Sequence, residues 1–345
     1  MRRILLPLIA AFAGMAAEPA PDKDGFVSMF NGTDLTGWRN VNCAPNTWSV
    51  KNGEIVTTGK PTGYMRTMKQ YENFELEFEW MHINKDKVGN SGLFVWGDAL
   101  PAVGTGYTRS IEVQVLVNLN VKDTYTSHGD LFSIWGAHCK PDRPHPKGWE
   151  RCLPSEERCK GGGEWNHYKV IGNDGVLKLH VNGKEVSGVS GCTPRKGYMA
   201  LESEGAECHF RNLKIKELPS TNPKPEEICP PSEGHRHLLD GMSLSGWKGE
   251  LGGWNAGDGV IKSKGKGDIT TETDFAATEL VLDYKFPPKA IGKLTATVGG
   301  KEYVFPAVDK WKREIIKVEA GTKLPIKLAG AEGLEVRNLF VKEGK

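Results

Sequence analysis

Glu112 and Gln114 stand two residues apart in the stretch Ser110-Ile111-Glu112-Val113-Gln114-Val115-Leu116-Val117. Successive side chains on a strand face opposite sides, so this carboxylate and this amide share one face while Ile111, Val113 and Val115 share the other. Such a half-buried strand predicts an open face carrying a proton-transfer group beside a hydrogen-bonding group, the floor of a carbohydrate site. The excursion that follows, residues 118–163, is rich in Gly, Pro, His and Cys. It brings His128 and Asp130 in one segment and Arg151, Glu157 and Arg158 in another. Further on, Glu202 and Glu204 share a face opposite Leu201 and read as walls of the same site. Trp96 is expected on the Glu112 side, provided the strand around Leu93 and Val95 is its neighbour. A blander reading stands beside each of these. Glu112 and Gln114 fit a solvated outer face, His128 fits a loop brace, and Arg151 and Arg158 fit an ion-pair network with Glu150, Glu156 and Glu157.

The elements that must position these groups are strands. Phe74, Leu76, Phe78 and Trp80 alternate with Glu75, Glu77 and Glu79, whose row reads as a solvated face. Asn52-Gly53 and Asn182-Gly183 each interrupt alternating residues, and both positions of such a turn need positive φ. No window of twelve or more residues carries a helical period. Many short strands joined by turn signals predict an all-β sandwich or jelly roll.

The chain also repeats itself. Leu239-Asp240-Gly241 through Gly246-Trp247 matches Phe30-Asn31-Gly32 through Gly37-Trp38, and Trp254 with Asp258-Gly259 matches Trp48 with Asn52-Gly53. Glu279 to Tyr284 matches Glu75 to Trp80, and Arg337-Asn338-Leu339 matches Arg211-Asn212-Leu213. The second copy is shorter and has no counterpart of Glu112, Gln114, the His128 segment or the Arg151 to Arg158 segment. The expected organisation is a signal peptide at 1–17, a jelly roll at 25–218, a Pro-rich linker at 219–236 and a shortened second β domain at 237–345. Arg2 and Arg3 before the apolar run Ile4 to Ala13, with small residues after it, carry the signal reading and predict a secreted or periplasmic protein. The run is too short to span a bilayer, so no membrane insertion is expected once it is cleaved.

Removing Arg2 and Arg3 brings the 45 basic residues level with the 43 acidic ones. A neutral chain gives no footing for nucleic acid or for an anionic membrane surface. The seven Cys include no C-x-x-C pair, which argues against a zinc site, and in an exported protein some of them should pair. Oligomeric state is not legible.

The first copy resembles the 3-keto-disaccharide hydrolase family over roughly Gly25 to Leu218. The resemblance is carried by Phe30-Asn31-Gly32 with Leu35-Thr36-Gly37-Trp38, Asn90-Ser91-Gly92, Glu112-Val113-Gln114, Gly163-Glu164-Trp165-Asn166, Val181-Asn182-Gly183, Leu201 to Gly205 and Phe210-Arg211-Asn212. The second copy looks like a shortened relative. The resemblance implies a concanavalin-like jelly roll that hydrolyses, or eliminates from, sugars oxidised at C3. Some relatives have a His shortly after the position of Leu201; in that region this chain has Glu204 and Gly205. A 3-keto group acidifies the C2 hydrogen, so such a site needs a base, a group to stabilise the enolate and an acid for the leaving group. Glu112 or His128 could be the base. Arg151, Arg158 or a divalent metal could hold the enolate, and Asp130, Glu157 or Glu202 could be the acid. Gln114, Asn166 and Trp96 could hold the sugar, an oligosaccharide or glycoside. A paired-carboxylate glycosidase and a non-catalytic carbohydrate-binding module are the competing functions.

Overall fold

Three two-residue turns set the hairpins that frame the molecule. Asn52-Gly53, Asn182-Gly183 and Asp258-Gly259 all have positive φ at both positions. Each joins a pair of directly bonded antiparallel strands, as primed turns do because their twist matches that of the strands. A computed structural model describes residues 20–119, 126–232, 234–319 and 321–344. The expected signal peptide lies outside them. Among the described residues the only helical segments are two short 3₁₀ turns, Pro225–Glu227 and Leu251–Gly253.

The first unit is a sandwich of two antiparallel sheets. The nine-stranded back sheet centres on Phe74–His82, Asn166–Asn173 and Cys208–Glu217. The seven-stranded site sheet runs Arg151–Cys152, Leu131–Ile134, Ser110–Val117, Gly89–Gly97, Gly197–Ser203, Gly63–Tyr71 and Trp38–Asn40. Ile111, Val113, Val115, Leu93 and Leu201 face inward onto Leu76, Phe78, Trp80, Tyr168 and Phe210 and fill the core. The inward half of the alternation in Ser110–Val117 is as expected. The outward half is not open, because every residue of that strand is buried. The Glu row of the back sheet faces out but is paired: Glu75 with Lys169 at 2.7 Å, Glu77 with Lys214 at 3.1 Å and Glu79 with Arg211 at 2.8 Å.

The second unit pairs a six-stranded with a five-stranded antiparallel sheet around its own core. It repeats details of the first. The Trp38 indole donates to Met29 O at 2.7 Å and the Trp247 indole to Leu238 O at 2.9 Å, while Asn212 and Asn338 both adopt positive φ. One face differs. Glu77 and Lys214 are direct cross-strand partners in the first unit. Val281 and Phe340 are the corresponding partners in the second, and they pack on Tyr64, Phe94 and Ala200 of the site sheet. Polar contacts frame this apolar patch. Asp283 is fully buried and accepts from Asn338 Nδ2 (2.7 Å), from Arg313 Nε (2.7 Å) and from the Gly104 N–H (2.9 Å). Arg313 and Arg337 donate to the carbonyls of Pro101 and Gly104 at 2.8 and 2.9 Å. The second unit thus clamps the loop that leads to Tyr107.

All seven cysteines are free thiols, against the expectation of pairing in an exported chain. Most are buried as small apolar side chains, and burial pushes the Cys43 and Cys159 thiols up to about 12.

Candidate active site

The outer face of the site sheet holds a pocket of about 470 Å³ lined by Asn90, Glu112, Gln114, Glu202 and Glu204 with Tyr107, Phe132 and Trp135. Strand register brings them together. Gly92 sits opposite Gln114 and Phe94 opposite Glu112 on one side, while Leu93 pairs with Leu201 on the other, placing Glu202 beside Gly92. A β-carbon on Gly92 would lie 2.9 Å from Glu112 Oε1 and 3.0 Å from Glu202 Oε2. The missing side chain is what lets two carboxylates close over one point of the sheet, which gives the Asn90-Ser91-Gly92 motif a physical reason.

Glu202 is fully buried, and neither of its carboxylate oxygens has a hydrogen-bond partner among the described residues. Burial raises its pKa well above the ordinary value, and Glu112 and Glu204 add to the rise. Burial likewise raises Glu112 to about 8, helped by Glu204 and opposed by the Arg151 guanidinium. Two like-charged groups in one dry space cannot both ionise at neutral pH. Glu204 is held differently: it accepts from the Tyr107 hydroxyl at 2.7 Å and from Asn90 Nδ2. Asn90 Oδ1 in turn accepts from Gln114 Nε2 at 2.6 Å. The result is a partnerless Glu202 next to Glu112, beside a hydrogen-bonded chain of Gln114, Asn90, Glu204 and Tyr107.

Asp130 and Arg151 form a buried ion pair, with Nε–Oδ2 at 2.6 Å. Arg151 lies over the Phe132 ring at 3.9 Å, and Asp130 O accepts from the Gln114 N–H at 3.0 Å. The pair therefore braces the strand behind the pocket and does not line it. Burial outweighs the arginine, so Asp130 is raised to about 6.

Five expected site residues lie elsewhere. Trp96 is in the core: it takes φ +56 at an irregularity in the pairing with Gly197–Ser203, which turns it inward, edge-on to Phe74, with Nε1 donating to Glu72 O at 2.8 Å. His128 is carried to the back sheet because Ser187 Oγ donates to Gly129 O at 2.6 Å. There its Nε2 is 3.9 Å from Glu157 Oε1, and burial lowers its pKa. Glu157 is 88% exposed. Arg158 donates to the Val181 and Asn182 carbonyls, both at 2.8 Å, and so braces a back-sheet turn. Asn166 Oδ1 accepts from the Lys160 N–H at 2.8 Å and from Asn182 Nδ2 at 3.0 Å, a structural role.

Tyr107, Phe132 and Trp135 were not legible as site residues, since no alternation links them to Glu112. The donor set does not fit a metal: among the described residues no group of three His, Cys, Asp or Glu is arranged to hold one.

A pocket on one outer face of an antiparallel β-sandwich places the chain among proteins of jelly-roll fold. The chain belongs to the 3-keto-alpha-glucoside-1,2-lyase-like domain family, whose sequence profile matches residues 25–216 and again 234–335. A 3-keto-disaccharide hydrolase from Bacteroides thetaiotaomicron is 23% identical over 245 residues, 57% of this chain and 80% of that protein. Among solved structures, a candidate glycosyl hydrolase from Parabacteroides distasonis is 22% identical with a TM-score of 0.42, covering 57% of this chain and 95% of its own. The carbohydrate-binding module CBM66 from Bacillus subtilis is 13% identical with a TM-score of 0.38, covering 54% and 98%.

Proposed function

We propose that the first unit, in an exported protein, cleaves glycosides whose sugar is oxidised at C3, by elimination followed by addition of water. The observation that carries this reading is the pair Glu112 and Glu202, buried, raised and closed over Gly92. A carbon acid needs a base strong enough to take a C2 proton, and a raised carboxylate is stronger than an ordinary one. Glu112, eased towards ionisation by Arg151, is that base. Its gain of the C2 proton leaves an electron pair that delocalises onto the C3 oxygen as an enolate. Gln114, whose Nε2 gives one hydrogen to Asn90 and keeps a second, stands at the pocket wall to donate to that oxygen. The enolate then collapses to C1=C2, the C1–O bond breaks, and the departing oxygen takes a proton from neutral Glu202. Water adds to C1 of the enone, returning the proton to C2 and giving the free 3-keto sugar.

The test is incubation of the purified protein with 3-keto-trehalose and with trehalose, with and without EDTA, and with deuterated solvent to follow exchange at C2. Cleavage of the keto sugar alone, with deuterium entering C2, is expected. Cleavage of trehalose itself would mean an ordinary paired-carboxylate glycosidase, and cleavage of neither would leave a binding module.

A further inference from the structure

A second cleft, of about 430 Å³, opens where the first unit, the linker and the second unit meet. Its floor is apolar: Leu100, Pro101 and Val103 come from the loop after Gly89–Gly97, and Pro230 and Pro231 from the linker. Two guanidinium groups and an imidazole line it as well, and each is already matched. Arg109 forms a two-point pair with Asp98 at 2.9 and 3.0 Å. Arg313 is held on Asp283 at 2.7 Å, and His235 on Glu279 at 2.7 Å. No uncompensated charge among these groups is offered to an anion, so the chemistry selects a neutral, apolar occupant.

The cleft is joined to the candidate active site by one residue. Trp135 lines both. It is 52% exposed, and it holds a φ of +52, a region costly for a bulky side chain. Its ring lies parallel to that of Tyr107, 12° apart with centroids at 6.0 Å, and Tyr107 bonds Glu204 inside the site. An exposed indole in a strained backbone, stacked on a site residue, is a platform on the lip between two cavities.

We propose that this cleft is the leaving-group subsite and that it takes an aromatic, uncharged aglycone in place of a second sugar. The inference rests on the reading that the keto sugar occupies the Glu112–Glu202 pocket. A second sugar would bring several hydroxyl groups to a floor of Leu, Pro and Val, where the polar groups alongside, Asp98, Arg109, Ser232, His235 and Arg313, are already bonded to protein partners. A flat aryl group stacks on Trp135 and buries apolar surface there. Since the second unit and the linker supply part of the wall, they take part in substrate choice.

The test compares phenyl and 2-naphthyl 3-keto-glucosides with methyl 3-keto-glucoside and 3-keto-trehalose, in the full chain and in V103D. Val103 is 44% exposed, so the charge is tolerated by the fold. The ratio of kcat/KM for naphthyl over methyl should exceed about tenfold in the native protein and drop by about tenfold in V103D, carried by KM. A second arm needs no turnover: free 2-naphthol should quench tryptophan fluorescence saturably, and V103D should weaken that binding about tenfold. If no keto-glycoside is cleaved but naphthol binds and V103D weakens it, the cleft stands and the assigned reaction falls. If keto-glycosides are cleaved but aryl, methyl and disaccharide substrates are handled alike, or naphthol does not bind, the subsite proposal is overturned while the reaction stands.

Discussion

Replacing Glu112 by Gln separates the two consequences of a buried, raised carboxyl. Its pKa moves from 4.5 to about 8 in the folded chain because burial disfavours the ionised form. The folded state therefore holds more protons than the unfolded one between those values. The sign follows: the contribution of Glu112 to stability is fully present below about pH 4.5 and is lost as pH rises through about 8. At about 1.4 kcal/mol per unit, the gap amounts to about 5 kcal/mol; relaxation and water entry reduce the expected loss to about 2–5 kcal/mol. Gln has the same shape and no charge to desolvate. Chemical denaturation at pH 5 should find the native protein and E112Q nearly equal. At pH 8.5 the variant should be more stable by about 2–5 kcal/mol. Turnover of 3-keto-trehalose should fall by about 10²–10⁴-fold, the usual worth of a positioned base. Stability curves that run parallel across pH would refute the burial argument, and undiminished turnover would remove Glu112 as the base.

Four further outcomes follow from the same geometry. kcat/KM on a 3-keto-glycoside should rise with pH towards a half-point near 8, the value to which burial brings Glu112, and a profile flat from pH 6 to 9 would contradict that role. G92A puts a methyl group at about 3 Å from both carboxylates, so turnover should fall at least tenfold while the melting temperature shifts little; full activity would show that the pair is not the working centre. R151M leaves Asp130 buried without its partner and should cost about 3–5 kcal/mol by denaturant unfolding. F340A, beneath Tyr64 and Phe94, should cost about 3 kcal/mol and loosen the 98–107 loop, read as faster hydrogen exchange there.

How much of this was legible depended on range. Within a strand, period two is enough to sort Ile111, Val113 and Val115 from Glu112 and Gln114, and Asn-Gly pairs declare their turns because few other residues accept positive φ. Trp96 shows where that stops. One irregular residue at φ +56 turned its side chain to the core, and nothing in its composition announces the bulge. His128 and Arg158 looked chemical because of their types, yet their partners, Gly129 with Ser187 and the Val181–Asn182 carbonyls, are backbone contacts that no side-chain pattern encodes. Gly92 was visible as part of a motif, but its reason required knowing that Glu112 and Glu202 meet above it from two different strands.

The matched pairs Glu77–Lys214 and Val281–Phe340 carry a further meaning. They occupy the same rungs of the same ladder in the two units, one as an ion pair facing water and the other as an apolar pair facing a neighbour. An exchange of an ion pair for an apolar pair on a repeated scaffold, with Asp283, Arg313, Arg337 and Asn338 around it, accompanies the change from a solvent face to an adhesive one. The partner they adhere to is the rim of the first unit's site, which makes the shortened copy a built-in subunit: a dimer-like interface carried within one chain, whose local concentration is set by the linker and not by the amount of protein in solution.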